Sequence, residues 1–457
     1  MKEYCSPYFD PEYETLSIRI NPPRVSVDNI SCKDCTVVKV DSVNKPGILL
    51  EVVQILSDFD LIITKAYVSS DGQWFMDVFH VTDQYGNKVT DCNTIGCIEK
   101  ALGPKGYTSG VLRTWPGENA GTNYTAIELI GRDRPGLLSE ISAVLADLHF
   151  NVAAAEVWTH NQRTACILYV NIDKATDDDD RSRLSVIEER LRNILLLAGE
   201  DDDTKNVAHT TSVFVGRTHL DRRLHQMFFA DHRDCDEDDL VVNPYSPLFK
   251  PKVAIDHCAE KDYWVVTVRC KDRPKLMFDI VCTLTDMHFV VFHAAVSSDA
   301  PYASQEYYIR HMDGCTLQTE KEKERVVKCL EAAIQRRVSE GLRLELSAND
   351  RVGLLSDVTR ILRENGLIVT RAGISTVGEQ GINVFYIRDS DSSGNLATVV
   401  ERLRQEFGQR MMMLEVKKVP SLCAKAPEIA PRGGWARSRF LLLGGFLAKF
   451  LSIKVCE

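Results

Sequence analysis

Hydrophobic positions recur along the chain in four aligned segments. The segments are anchored at Pro46, Pro135, Pro274 and Val352. Apolar residues stand three, six and ten positions after each anchor, which is the spacing of one face of a helix. An alanine stands twenty positions after every anchor, at Ala66, Ala155, Ala294 and Ala372. The shared register predicts an internal repeat of four copies, called copies one to four below.

Runs rich in β-branched and aromatic residues flank each helical face and predict strands. In copy one these runs are TVVKV before the anchor, then LIITKAYVS and WFMDVFHV after the helix. Charged segments with helical character follow in the copies at 94–102, 181–198, 320–338 and 396–407. This order predicts an α+β protein built of four ferredoxin-like βαββαβ units of about 70 residues each.

The distances between the anchors define the domain boundaries. Successive anchors are 89, 139 and 78 residues apart. We assign the copies to 36–113, 124–215, 263–341 and 342–419, with a linker at 216–262 and a basic, apolar tail at 420–457. The shortest interval leaves little room for a last strand between copies three and four. The acidic runs Asp177–Asp180 and Asp201–Asp203 are expected to be solvated loops.

Open sheet edges invite aggregation, so the copies are expected to cover one another's edges. The sequence-adjacent pairs, copies one and two and copies three and four, are the expected partners. In that arrangement a fragment of residues 1–216 would form a folded half.

Composition and charge restrict the classes of partner. With 55 basic and 65 acidic residues the net charge is −10, which opposes binding to phosphate backbones, so no nucleic-acid partner is expected. The third strands also lack the basic-Gly-aromatic signature of RNA-recognition modules. The 14 cysteines are scattered through apolar runs, as in proteins of a reducing compartment, which favours the cytoplasm, the nucleus or both. The longest apolar stretch, 440–455, is shorter than the ~20 residues of a spanning helix, so no transmembrane segment is expected.

Residues 131–152, GRDRPGLLSEISAVLADLHFNV, resemble the opening of an ACT domain, and the aligned segments at 43–63, 271–291 and 349–369 do so too. Four such units resemble the plant ACT-domain-repeat proteins, over roughly residues 30–420. The resemblance implies ferredoxin-like ACT units paired edge to edge, with amino-acid binding at the interface between paired units. The ACT region is also similar to the C-terminal part of bacterial PII uridylyltransferases, whose catalytic domains have no counterpart here.

The Asp-Arg-Pro-Gly loop at 133–136 is the strongest functional signal. It places backbone N–H groups at a helix N-terminus, where a ligand carboxylate is favoured. The structural alternative is a plain helix start, with aspartate as the cap, proline in the first turn and glycine for the bend. The resemblance favours the ligand loop, because ACT domains bind ligands there.

The copies differ sixteen positions after the anchor, where copy two has an amide and the others have Ile62, Val290 and Ile368. The resemblance implies that an asparagine here binds serine-like ligands. We therefore expect the primary site in copy two, with copies three and four mainly structural. The expected site residues are Asp133, Arg134, Gly136, Leu137 and Asn151, with Asn44, Pro46 and Gly47 contributed by copy one across the pair interface.

Other candidate chemistry is weaker. Cys32 and Cys35 form a lone C-x-x-C that could join Cys92 and Cys97 around zinc, but the second spacing is atypical and no metal site is expected. The linker residues His219, His225, Asp231 and His232 are expected to be solvated on a helix. No nucleophile elbow, P-loop or dinucleotide motif occurs, so no catalytic residues and no cofactor are expected.

Three functions remain open from the sequence. The first is a non-enzymatic, amino-acid-binding regulatory sensor whose ligand is a small amino acid. The second is a scaffold that binds protein partners, or itself, through ACT edges. The third is an enzyme whose catalytic residues come together only in space.

Overall fold

The computed structural model describes residues 24–70, 73–103, 124–171, 177–196, 207–213, 219–233, 251–258, 263–299, 301–314, 317, 319–338, 341–389, 396–408 and 411–419. All of them fall in one compact unit, Met1–Leu422. The predicted tail, the Asp201–Asp203 run and the end of copy one lie outside the described residues. Within these ranges no helix is both long and apolar enough to cross a bilayer.

The described residues of copies one and two contain eight strands and four helices. In chain order these are β1 (Arg24–Asp28), β2 (Thr36–Val43), α1 (Ile48–Asp58), β3 (Ile62–Ser70), β4 (Trp74–Thr82), α2 (Cys92–Leu102), β5 (Tyr124–Arg132), α3 (Leu137–Asp147), β6 (Asn151–His160), β7 (Arg163–Asn171), α4 (Asp177–Leu196) and β8 (Val207–Val213). The acidic run expected to be a loop at 177–180 instead opens α4.

The rest of the described chain begins with a helix in the predicted linker. The elements are α5 (Leu220–Arg233), β9 (Lys252–Cys258), β10 (Tyr263–Lys271), α6 (Leu276–Asp286), β11 (Phe289–Asp299), β12 (Tyr302–His311), α7 (Glu320–Arg336), β13 (Gly341–Asn349), α8 (Leu354–Glu364), β14 (Leu367–Val377), β15 (Gln380–Asp389), α9 (Leu396–Phe407) and β16 (Met411–Val419). The α+β class with ferredoxin-like units is confirmed.

The strands form two eight-stranded sheets, and their composition overturns the expected pairing. Sheet A has the order β1-β2-β4-β3-β11-β12-β10-β9, which joins copy one to copy three. Sheet B has the order β16-β13-β15-β14-β6-β7-β5-β8, which joins copy two to copy four. Edge-to-edge pairing is therefore confirmed, but the expectation that sequence neighbours pair is wrong.

Side chains between the facing helices give a physical reason for this pairing. Seven positions after the anchors of copies two and four, the hydroxyls of Ser142 and Thr359 lie 2.9 Å apart in the buried interface. The corresponding residues in copies one and three are the buried valines Val53 and Val281. Each hydroxyl also donates to a carbonyl of its own helix, Ser142 to Ser139 at 3.0 Å and Thr359 to Leu355 at 2.7 Å, so pairing copy one with copy two would lose only the contact between the two hydroxyls.

The outer strands of the two sheets come from different places in the chain. In sheet B, β8 and β16 are the last strands of copies two and four, as in a βαββαβ unit. In sheet A, β1 and β9 precede their copies and occupy the equivalent edges beside β2 and β10. The interval before copy four thus needs no last strand, because β9, from the segment assigned to the linker, supplies it.

The loop after each anchor has one backbone conformation. The residue before helices α1, α3, α6 and α8 has a positive φ, at Gly47 (83°), Gly136 (85°), Lys275 (61°) and Gly353 (84°). This left-handed conformation favours glycine, and at none of these four starts does a side chain cap the helix. The helices therefore begin two residues after the anchor, rather than at the proline with an aspartate cap.

Helix α5 joins the two sheets. One side of α5 packs on sheet B, where Leu224, Met227 and Phe228 surround Trp158. This face of the sheet has its own core, separate from the core between the opposite face and the helices of copies two and four. The other side of α5 contacts α6 of copy three. Asp221 and His225 are therefore buried, and the expectation that the linker histidines are solvated is wrong for His225.

Candidate ligand site between copies two and four

The junction of β6 and β14 creates two related cavities, one beside each anchor loop. The first, called the loop-two site, has about 480 Å³ of empty space, partly open to solvent. Asp133, Arg134, Gly136 and Leu137 line it, and Ile368 of copy four lies across from them. Four of the predicted residues are thus brought together, while Asn151 is not among them.

The second cavity, the loop-four site, has about 350 Å³ of empty space and is formed by the corresponding loop of copy four. Asp350, Gly353 and Leu354 line it, together with Asn151 and Asn383. Each cavity takes residues from two copies.

Asn151 therefore belongs with the loop of copy four. Its Nδ2 donates a hydrogen bond to Oδ2 of Asp350 at 2.8 Å. The Thr376 hydroxyl donates to the same carboxylate oxygen at 3.2 Å. Asn151, predicted to line the primary site with Asp133, Gly136 and Leu137, thus lies beside the loop of copy four instead. The cause is geometric, because the antiparallel pairing of β6 with β14 places the start of β6 beside the anchor loop of copy four.

Arg134 forms its hydrogen bonds within copy two. Its Nη1 donates to Glu140 Oε1 at 2.7 Å, its Nη2 contacts Glu140 Oε2, and it also reaches the carbonyl of Ile194 at 3.3 Å. The hydrogen bond with Glu140 raises the pKa of Arg134 and lowers that of Glu140. A basic residue and an acid pair in the same way in every copy, as Lys45–Glu51, Arg273–Asp279 and Arg351–Asp357. This pair engages both terminal nitrogens of Arg134, while its buried Nε has no hydrogen-bond partner.

The remaining loop-two residues are closely surrounded by their neighbours. Burial raises the pKa of Asp133, and the Thr164 hydroxyl donates to its Oδ1 at 2.7 Å. A Cβ on Gly136 would come within 2.7 Å of Cδ of Arg363, whereas a Cβ on Gly353 would meet nothing closer than 3.7 Å. The space beside the loop-four glycine is thus more open.

Asn383 is the functional candidate that sequence reasoning missed. It lies on β15 with 0% of its surface exposed, and neither Oδ1 nor Nδ2 has a hydrogen-bond partner. Its position, thirty-one after the anchor, is on the strand face that points to the core. The repeat alignment contained a signal for it. Three of the four aligned residues, Asp77, Gln305 and Asn383, are polar at a position that faces the core, where copy two has Cys166.

The residues expected from copy one do not reach either cavity. Asn44, Pro46 and Gly47 precede α1 in sheet A, and Asn44 Nδ2 donates to the Ser70 hydroxyl at 2.9 Å. Their expected contribution across the interface with copy two is wrong, because copy one pairs with copy three.

Comparisons with known proteins identify the same four repeat units. Residues 31–109 match the model of the ACR family N-terminal ACT domain, and residues 125–196, 264–331 and 342–408 match that of the ACT domain. ACT domain-containing protein ACR3 of Arabidopsis thaliana is 62% identical over 452 residues, covering 97% of this chain and 98% of the relative. ACT domain-containing proteins ACR4 and ACR5 of the same plant are 53% and 49% identical, over 90% and 93% of this chain and the same shares of theirs.

Proposed function

Because the chain belongs to the ACR family of ACT-domain proteins, we propose that it is a regulatory protein that binds a small polar amino acid at the loop-four site. The ligand would lie between copies two and four and contact both. This proposal keeps the ligand class that the sequence favours but moves the site from the loop of copy two to that of copy four.

The observation that carries the proposal is the unpaired amide of Asn383. A buried polar group without a hydrogen bond costs about 1–3 kcal/mol, so such groups are rare unless a bound molecule satisfies them. Asn383 lines the loop-four site, and its amide carries both a donor and an acceptor without a partner. A polar ligand would recover that cost when it binds.

The groups around Asn383 are suited to an α-amino acid. The start of α8 after Gly353 offers backbone N–H groups and the positive end of a helix dipole to a carboxylate. The carboxylate of Asp350 and the Oδ1 of Asn151 can accept from an ammonium group. Asn383 is then left for a hydroxyl or amide on the ligand side chain.

A ligand in this position can act as a regulator without catalysis. It contacts loop residues of one copy and the start of β6 in the other, so it binds best to one arrangement of the two copies. Ligand would shift the protein toward that arrangement by its differential affinity. The names of the relatives describe ACT-domain content, which supports a non-enzymatic role.

A thermal-shift screen of the full chain against the twenty amino acids tests the proposal. A ligand at a hundred times its dissociation constant adds about 2.7 kcal/mol to the free energy of unfolding. We expect a small polar amino acid to raise Tm in the parent and in the loop-two control Ile368→Leu, but not in Asn383→Leu. If no amino acid raises Tm in the parent, the scaffold function is favoured instead.

A further inference from the structure

A second cluster of reactive side chains lies in copy one, away from the ligand site. The loop between β1 and β2 carries Cys32 and Cys35 beside His80 of β4. The Cys35 Sγ is 3.0 Å from the Cys32 Sγ and 3.3 Å from the His80 Nδ1. The three donor atoms lie within 4.8 Å of one another, the one such group among the described residues.

Hydrogen bonds that do not involve the thiols hold this loop in shape. The Thr36 hydroxyl donates to Oδ1 of Asn29 at 2.6 Å and accepts from the backbone N–H of Val89 at 2.9 Å. The Lys88 ammonium donates to the carbonyl of Asn29 at 3.0 Å and to that of Cys32. The cysteines are therefore positioned by the fold of the hairpin loop, which lowers the cost of organising them around a ligand.

The repeat supplies an independent observation. His80 stands thirty-four positions after its anchor, and the other three copies have tyrosine there, at Tyr169, Tyr308 and Tyr386. Copy one is also the copy whose outer hairpin loop contains a C-x-x-C. The histidine and the two cysteines thus depart from the repeat together, and they depart at one place in the fold.

We propose that Cys32, Cys35 and His80 bind a zinc ion. Thiolate and imidazole are the ligands that zinc prefers, and two thiolates balance its charge without a further acid. Tetrahedral bonds of about 2.3 Å to sulfur and 2.0–2.1 Å to nitrogen place two sulfurs about 3.8 Å apart and sulfur and nitrogen about 3.5 Å apart. The observed distances of 3.0 Å between the two sulfurs and 3.3 Å from the Cys35 Sγ to the His80 Nδ1 are each within about 1 Å of these values.

The site would have an open fourth position. Cys32 and His80 are partly exposed, so water or an exchangeable ligand can complete the coordination. Cys92 and Cys97, the partners considered from the sequence, are exposed on α2 and are not part of the cluster. Zinc would fasten the β1–β2 loop onto β4 at the outer edge of sheet A.

Metal titration of the full chain tests this site. Protein purified with reductant and stripped of metal is titrated with Zn²⁺ against a chromophoric chelator, and with Co²⁺ to detect thiolate-to-cobalt charge transfer. We expect one zinc per chain and a cobalt spectrum of tetrahedral type with sulfur ligands. The variants Cys32→Ser and His80→Tyr should each weaken zinc binding at least 100-fold, while Cys92→Ser and Cys97→Ser should leave it unchanged.

His80→Tyr introduces the residue that the other copies carry, and Cys32 lies in a partly exposed loop, so circular dichroism should show folded variants. Binding of less than 0.1 zinc per chain, or zinc binding that survives both His80→Tyr and Cys32→Ser, would overturn the proposal. A Cys32–Cys35 disulfide that persists under reductant and excludes zinc would overturn it as well.

Discussion

The residue thirty-one positions after each anchor points to the core, and its chemistry differs from copy to copy. In copy two it is Cys166, where burial raises the pKa of the thiol to about 12. In copy three, Gln305 is satisfied by the Tyr307 hydroxyl, which donates to its Oε1 at 2.5 Å. Asn383 and Asp77 have no such partner. The same aligned position thus holds an inert core residue in copy two, Cys166, and a candidate ligand contact in copy four, Asn383.

In copy one this position is Asp77, and its buried carboxyl should make the free energy of unfolding depend on pH. Its carboxylate is buried, and burial raises its pKa well above the ordinary value, against a smaller opposing effect of the Ser69 backbone. A carboxyl whose pKa is raised by folding stabilises the fold below its unfolded pKa of about 3.9, and this contribution is lost as pH rises toward the folded value. We expect Asp77→Asn, the residue of copy four, to raise the free energy of unfolding, and to do so more at pH 8 than at pH 5.

Urea unfolding of the parent and Asp77→Asn at the two pH values measures this difference. Asp83→Asn is the control, because Asp83 is exposed and its pKa is lowered, mainly by the Asn87 backbone N–H. A gain that is equal at both pH values, or greater at pH 5, would contradict the account of Asp77.

Each helix could be predicted from the sequence more securely than the way it begins. The residues three, six and ten positions after the anchor are buried in α1, as Leu49, Val52 and Leu56, because that spacing gives one helical face. The capping conformation was missed, since an Asp-Arg-Pro-Gly string is compatible both with a side-chain cap and with a left-handed glycine. The basic–acidic pair of each loop was also missed, although its spacing is regular.

That pair has very different surroundings in copies one and three. Lys45 and Glu51 are about half exposed, with 44% and 46% of their side chains accessible. Asp279, which replaces Glu51 in copy three, is 0% exposed and contacts Arg273, Arg337 and His225 at 2.7, 2.9 and 2.9 Å. The charges of the two arginines, with the hydrogen bond to His225, hold the pKa of Asp279 far below the ordinary value in spite of burial. Helix α5 and the end of α7 cover the Arg273–Asp279 pair, so the pair that is exposed in copy one is part of a buried network in copy three.

Removing the acid from each pair should therefore have unequal effects. Asp279→Asn leaves Arg273 without its counter-charge and Arg337 with Asp221 alone, at 3.3 Å, and we expect a loss of about 3–5 kcal/mol in the free energy of unfolding. Glu51→Gln at the aligned position should cost less than about 1 kcal/mol, because exposed pairs contribute little. Chemical denaturation at pH 7 measures both. Similar losses for the two variants would show that α5 does not isolate the copy-three pair from solvent.

At the scale of the whole molecule, pairing of the copies is what the sequence could not reveal. All four copies share one pattern of inward and outward residues, so any two could join through their second strands. The choice depends on contacts such as that between Ser142 and Thr359, which are distant in sequence. Helix α5 and the residue before it connect the two pairs: His219 contacts Asp58 of copy one at 2.9 Å, and Arg223 contacts Glu128 of copy two at 2.8 Å.

This interleaved arrangement reverses the expectation for a fragment of residues 1–216. Such a fragment contains copies one and two, which do not pair, and it exposes the edges of β3 and β6. We expect it to aggregate or self-associate when expressed alone, and to become soluble when it is co-expressed with residues 217–457. Size-exclusion chromatography with light scattering distinguishes these results. A folded, monomeric fragment 1–216 would contradict the pairing of copy one with copy three.

The most direct test of the central claim is calorimetric titration of the full chain with the amino acid that raises Tm most. The account predicts one ligand per chain, shared between residues of copies two and four. Asn151→Leu and Asn383→Leu should each weaken binding by roughly one to two decades, because a hydrogen bond to a polar ligand is worth about 1–3 kcal/mol. Ile368→Leu at the loop-two site should bind as the parent does. Unchanged affinity in both asparagine variants, with loss of binding in Ile368→Leu, would contradict the loop-four site.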